Sequence, residues 1–228
     1  MATTSPVRNR IRALKEAFDR AKIRKDALLT IIHDAEIPES VYNSNAIENS
    51  TLSLPETEKI LLEVEVSRNV NLREVFETKN LARVMQYIRT KEKKEEMNED
   101  LILLLHRMLL GNIREEISGR FRIKHEYVRV GTHIAPTPEH IGRLIERILV
   151  EYTSEHDVYF ADKIAKFHLD FETIHPFVDG NGRIGRVLLN YQLSELGFPT
   201  IIIRDKEKEV YYRAFDEYRD DKKTKTME

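Results

Sequence analysis

The sequence has 228 residues, 41% hydrophobic and 33% charged, with a formal net charge of −2 at pH 7. That composition supplies a packed core, and the near-neutral balance gives no global attraction to nucleic acid or an anionic membrane. Cysteine is absent, which excludes disulfides, thiolate metal sites and a thiol nucleophile, and fits a reducing compartment.

From the N-terminus, MATTSPVRNRIRALKEAF has no apolar secretory segment. Ser53 and Glu56 form a capping box ahead of a helix carrying Ile60, Leu61 and Val64. Leu81, Val84, Met85 and Ile88 recur at helical spacing. TKEKKEEMNED follows as a solvated linker or helix end, setting an N-terminal helical third apart from the rest. Leu101, Leu104, Leu105 and Met108 give the next helix, with Gly111 as its stop. Its aliphatic run LILLL falls far short of the ~20 residues that span a bilayer, so a cytoplasmic protein without a membrane partner is expected.

YVRVGTHIAP alternates β-formers around Gly131 and reads as a short hairpin or extended flap. Thr137 and Pro138 open a helix bearing Ile141, Leu144, Ile145, Ile148 and Leu149. Ala161, Ile164, Ala165, His168 and Leu169 form the apolar face of another, which leads to His175. A further helix is expected from Arg183 to Leu196, with Gly197 as its stop. TIII at residues 200–203 is a second extended candidate, and DDKKTKTME is expected to fray. The fold class is therefore all-α, a helical bundle with one short β-hairpin.

Between the last two apolar helices lies HPFVDGNGR, beginning at His175. Asp179, Gly180, Asn181 and Gly182 form a turn by composition. Arg183 and Arg186 then stand in the first turns of a helix, whose positive N-terminal end disfavours cations by roughly 0.3–1 kcal/mol each. An anion resolves the conflict: the N–H groups of Gly180, Asn181 and Gly182 cradle it and both arginines clamp it. Asp179 fits beside a polyphosphate as a ligand of Mg²⁺, which takes one or two protein ligands and keeps its waters. His175 is within reach of the phosphate as a base for an attacking hydroxyl. Alone, the turn reads as an ordinary loop. It lacks the alternating acids of a calcium loop, and His168 and His175 find no third ligand at zinc spacing. The coincidence of base, acid, nest and two arginines points instead to phosphoryl or nucleotidyl transfer.

Residues 175–186, HPFVDGNGRIGR, match every fixed position of the signature of the Fic family, His-x-Phe-x-acid-Gly-Asn-Gly-Arg-x-x-Arg, and the chain resembles that family on this basis. The resemblance implies a helical core with a β-hairpin flap and transfer of AMP from ATP to a Ser, Thr or Tyr hydroxyl of a protein. By the same resemblance His175 is the general base and Phe177 anchors the loop. Asp179 holds Mg²⁺, Gly180, Asn181 and Gly182 form the anion hole, and Arg183 and Arg186 meet the distal phosphates. Val130, Gly131, Thr132 and His133 form the centre of the flap, and Tyr212, in YYRAF, flanks the adenine. Upstream, SNAIEN fits the family's inhibitory motif, with Ser44 and Glu48 on one helical face. Glu48 is then the partner of Arg186 that blocks the γ-phosphate.

The implied division is an N-terminal helical region with the inhibitory helix, residues 1–95, and a core, residues 96–228. Relatives with this arrangement often continue into a winged-helix module. A second Gly in the loop, where the family's toxin kinases carry Lys, favours nucleotide transfer. Removal of AMP with Glu48 positioning water, transfer of UMP or GMP, and an idle nucleotide-binding regulator remain alternatives. A protein target is implied, with self-modification and a homo-oligomer left open, and no nucleic-acid partner is expected.

Overall fold

A computed structural model describes residues 3–63, 69–90 and 96–226. In chain order the helices are α1 (Ser5–Lys22), α2 (Asp26–Ile47), α3 (Leu54–Glu58), α4 (Leu72–Thr90), α5 (Glu99–Leu110), α6 (Ile141–Ser154), α7 (Phe160–Ile174), α8 (Asn181–Glu195) and α9 (Lys208–Thr226). The strands are β1 (Arg129–Val130) and β2 (His133–Ile134), which pair antiparallel with Arg129 opposite Ile134 and Val130 opposite His133. The expected all-α class with a small hairpin is what the chain forms.

Local signals act as their chemistry requires. Ser53 and Glu56 close a reciprocal capping box on α3. The chain then widens into a π-helical turn at Lys59–Glu63, and Val64 lies outside the described residues. Asn98 caps α5, its side chain accepting from Leu101 N–H at 2.9 Å. Gly197 takes the left-handed conformation (φ 72°) just beyond α8. Gly111 does not; it sits at φ −55°, and Asn112 takes the positive φ instead.

Other expectations need correcting. Residues 200–203 form no strand: Ile201 is held by the Asn190 side chain, through Ile201 N–H to Oδ1 and Nδ2 to the Ile201 carbonyl. A strand needs a neighbour along its whole edge, and one amide satisfies a single residue. The tail continues α9 as helix through residue 226. α8 starts at Asn181, two residues before the expected Arg183. The charged segment after α4 falls partly at residues 91–95, outside those described.

One apolar core joins Val41 of α2, Leu81 and Val84 of α4, Leu105 and Leu109 of α5, Phe171 of α7, and Ile184, Leu188 and Tyr191 of α8. Packing of this kind is what holds an amphipathic helix in place, since propensity alone is marginal. Its consequence here is positional. α2 and α4 lie against α8, so their polar residues stand over the loop that joins α7 to α8.

Candidate functional site

The loop between α7 and α8 is built by its own residues. His175 ends α7 in the left-handed region (φ 50°, ψ 61°), a conformation uncommon for a non-glycine residue. Arg122, buried at 2% exposure, holds it there. Its Nε donates to the His175 carbonyl at 2.9 Å, Nη2 to the carbonyls of Ile174 (3.3 Å) and Pro136 (3.0 Å), and Nη1 to that of Glu126 (2.9 Å). A guanidinium presents five donors in a fixed fork, so one side chain fastens the loop to the base of the flap. Phe177 is fully buried and stacks on His106 with ring centroids 3.7 Å apart. His106 Nδ1 accepts from Gly119 N–H at 3.0 Å, which leaves Nε2–H for the Asp179 carbonyl, also at 3.0 Å. Burial pushes His106 down to about 4, so it holds the loop as a neutral ring.

Asn181 closes the loop from the other side. Its Oδ1 accepts from Phe177 N–H and its Nδ2 donates to the Phe177 carbonyl, both at 2.8 Å. The side chain is therefore engaged within the loop. What Asn181 offers an anion is its backbone N–H, at the start of α8, where first-turn N–H groups have no helical acceptor. Gly180 reaches φ 84°, and a Cβ there would stand 3.0 Å from Leu109, so both dihedral and space call for glycine.

The two arginines differ in their partners. Arg186 Nε donates to Ser44 Oγ (2.9 Å), and Nη2 donates to the Ser44 carbonyl and to Glu48 Oε1 (both 2.8 Å). A Cβ on Gly182 would overlap Glu48 Oε1. The carboxylate of Glu48 thus lies directly over the glycine at the N-terminus of α8, where the helix favours negative charge. Arg183 Nη2 donates to Asp179 Oδ1 at 3.0 Å, and its Nη1 lies 3.3 Å from Glu77 Oε1. Asp179 Oδ2 accepts from Arg73 of α4 at 3.0 Å. A polar cavity of about 250 Å³ opens here, lined by Glu48, Arg73, Glu77, Asp179 and Arg183 among others.

A second cavity, about 400 Å³, opens on the His175 side. Val130, Gly131 and Thr132 of the flap form one wall, Tyr212 and Phe215 of α9 another, and Glu172 and His175 line it too. Gly131 makes the flap turn at φ 58°, and His133 Nε2 lies 2.8 Å from the Thr173 carbonyl, holding the flap against α7. Tyr212 donates to the Ile47 carbonyl at 3.2 Å, joining α9 to the end of α2. Burial pushes His175 down to about 4, so at neutral pH it is uncharged and able to accept a proton.

The expected residues thus converge on one loop and its two cavities. His106, Arg122, Glu172, Arg73 and Glu77 are additions. His106 reads in sequence as part of the apolar face of α5, and Glu172 is one helical turn before His175, a spacing that signals proximity without signalling chemistry. Among the described residues, no three His, Asp or Glu side chains group as a metal cluster, and no helix is long and apolar enough to cross a membrane.

Residues 96–193 match the model of the Fic/DOC family. A Nematostella vectensis protein named protein adenylyltransferase Fic is 30% identical over 233 residues, covering 92% of this chain and 53% of its own length. A Drosophila willistoni protein of the same name is 33% identical over 204 residues, covering 82% and 40%. The chain thus spans about half or less of the length of these curated relatives. The crystal structure of a Fic domain containing signaling protein from Bacteroides thetaiotaomicron is similar at a TM-score of 0.81 and 27% identity, over 90% of this chain and 80% of that one.

Proposed function

This chain carries a Fic/DOC-family domain over residues 96–193, and from that premise we propose that it is an autoinhibited protein adenylyltransferase, moving AMP from ATP to a Ser, Thr or Tyr hydroxyl of a protein. The observation that carries the reading is the pairing of a neutral, half-buried His175 with a glycine nest at the start of α8 and two buried arginines, Arg183 and Arg186. In this reading the flap, centred on Val130, Gly131, Thr132 and His133, aligns the target chain, and Tyr212 flanks the adenine. Residues 1–95 form the regulatory region and 96–228 the core.

The chemistry follows from position. The acceptor oxygen attacks the α-phosphorus, the bond from that phosphorus to the oxygen bridging to the β-phosphate breaks, and pyrophosphate leaves. The acceptor proton passes to His175. Backbone N–H groups of Asn181 and Gly182 and the two guanidiniums hold the phosphate charge, and such preorganised donors favour the transition state. Asp179 suits Mg²⁺: it offers hard carboxylate oxygens at the rim of the polar cavity, and a lone protein carboxylate is the usual complement for an ion carried mainly by phosphates. Bound there, Mg²⁺ would neutralise phosphate charge.

Glu48 keeps the site silent in this reading. Its carboxylate occupies the nest over Gly182 and takes the Arg186 guanidinium, the two places a distal phosphate needs. Even a misaligned phosphate lowers the rate by roughly 10²-fold. The test is mass spectrometry of the purified chain after incubation with ATP and Mg²⁺. Glu48→Gly is expected to gain AMP on itself or on an added target, wild type to gain little, and the Glu48→Gly, His175→Ala double variant none. A Glu48→Gly variant as silent as wild type with ATP and other nucleotides removes the inhibitory reading.

A further inference from the structure

The Glu172 carboxyl takes part in no step above, yet it stands on α7 one turn before His175 and lines the same cavity. Its Oε2 lies 3.9 Å from His175 Nδ1. Glu172 Oε1 and His175 Nδ1 are both buried without a hydrogen-bond partner. An unpaired buried polar atom is unfavourable, and here two of them stand on adjacent groups. The close approach is built in: a Cβ on Gly185 would overlap Glu172 Oε1, so α8 passes this carboxyl only with glycine there.

We propose that Glu172 is the positioning residue for His175, its carboxylate accepting from Nδ1–H. A neutral imidazole carries one proton; fixing it on Nδ1 leaves the Nε2 lone pair for the acceptor hydroxyl. Once Nε2 has taken the acceptor's proton, the same carboxylate faces a cation. A shift of about 1 Å closes the gap to the length of a charge-assisted hydrogen bond. This inference rests on His175 being the base.

The surroundings set when the carboxylate exists. Burial pushes Glu172 up to about 8 and the Glu48 charge acts the same way, while Arg186 and Arg219 pull it down. His168 on α7 and Tyr211 on α9 also face it, and Arg122 and His133 stand beside His175. A protonated Glu172 would donate to Nδ1 and move the ring proton to Nε2, the idle tautomer. The active form is the deprotonated one, so the rate rises with pH through the Glu172 titration. Removing Glu48 lowers that titration and helps twice, by freeing Arg186 and by favouring the carboxylate. The competing orienter is the backbone carbonyl of Glu172, which also faces the ring.

The experiment compares Glu172, Glu172→Gln and Glu172→Ala in the Glu48→Gly background, reading AMP transfer across roughly pH 6 to 9. Glu172→Gln, which keeps an acceptor without the charge, is expected to lower kcat about 10-fold and Glu172→Ala about 10²-fold. KM for ATP should stay within about twofold, and the limb rising through the Glu172 titration should vanish in both. In parallel, ¹⁵N NMR of the His175 ring without nucleotide should show Nδ1–H at high pH with Glu172 and mixed tautomers with Glu172→Ala. Should the alanine variant unfold, the near-isosteric Gln variant carries the test. An unchanged pH profile and tautomer ratio overturns the proposal and leaves orientation to the backbone carbonyl. The NMR arm needs no turnover, so absent AMP transfer would count against the proposed function while the tautomer still judges Glu172.

Discussion

Arg183 and Arg186 lie one turn apart on α8, both nearly buried, and are held in opposite ways. Arg186 is held from α2, by the Ser44 hydroxyl and carbonyl and by Glu48. Arg183 is held from its own loop and from α4, by Asp179 and Glu77. The inner cation is fixed by a segment that must yield before a phosphate can replace it. The outer one already faces a polar cavity, and its partner Asp179 is shared with an Arg73 side chain that is 51% exposed. Charge alone does not distinguish a latch from a rim. Glu48 is itself 37% exposed, but the Arg186 guanidinium it meets is buried, so loss of Glu48 leaves an uncompensated buried charge at high cost, whereas the half-exposed Arg73 is screened and contributes little.

The largest effect should come from outside both pairs. If the arginines and the nest bind phosphate while His175 moves the proton, His175→Ala in the Glu48→Gly background should lower AMP transfer by about 10²–10⁴-fold. ATP affinity by calorimetry should change little. Equal transfer rates for the variant and its parent would remove His175 from the chemistry. A large loss of ATP affinity would place His175 in nucleotide binding as well as in proton transfer.

The inner pair is sharpened next by Ser44→Ala. It removes the acceptor of Arg186 Nε and leaves that buried donor unpaired, at roughly 1–3 kcal/mol of stability. Urea denaturation with unchanged m-value should read this loss. Because Arg186 would then depend more on Glu48, the variant should stay as silent as wild type with ATP. Activation by Ser44→Ala would show that the hydroxyl, as well as Glu48, holds the latch closed.

How much of this was legible in sequence follows the same division. The loop was, because HPFVDGNGRIGR concentrates turn-formers, an acid, a base and two arginines in one segment, and local chemistry is written locally. Ser44 and Glu48 were legible through their spacing and the resemblance, although the loop they meet is more than a hundred residues away. The outer face was not. Arg73 and Glu77 look like an ordinary i, i+4 pair on a solvated helix, and only the packing of α4 on α8 brings them to Asp179. Arg122 reads as surface charge in GRFRIK, yet it is buried because four carbonyls converge on it. The extended expectation at residues 200–203 failed for the converse reason: β-branched residues state a preference, and a strand also needs a neighbour.

On the outer face, Asp179→Ala tests the cation site. The variant keeps Arg183 and Arg186 to draw phosphates but loses the carboxylate at the cavity rim. Calorimetry should show the Mg²⁺ enhancement of ATP binding reduced about 10-fold, or roughly 1.4 kcal/mol, with binding in the absence of Mg²⁺ nearly unchanged. Full retention of the enhancement would exclude Asp179 as a ligand. It would also make the outer pair purely structural.

Arg73→Ala should have the smallest effect, and it tests the contrast most directly. Arg73 meets Glu77 at 3.1 Å and Asp179 at 3.0 Å from a half-exposed position. Exposed pairs of this kind contribute roughly 0.2–1 kcal/mol and fade with salt. Stability should therefore fall by less than about 1 kcal/mol in low salt, and by less still in high salt. Binding should move the other way. Arg73 competes with a cation for Asp179 Oδ2, so its removal should raise the Mg²⁺ enhancement of ATP binding by about twofold, the scale of one weak exposed pair. If Arg73 instead contacts the bound phosphates, ATP affinity falls in the variant with or without Mg²⁺, and the rim gains a third clamp. A stability loss above about 2 kcal/mol, insensitive to salt, would place Arg73 in the same category as Arg186, because only a desolvated charge loses that much when its partner goes.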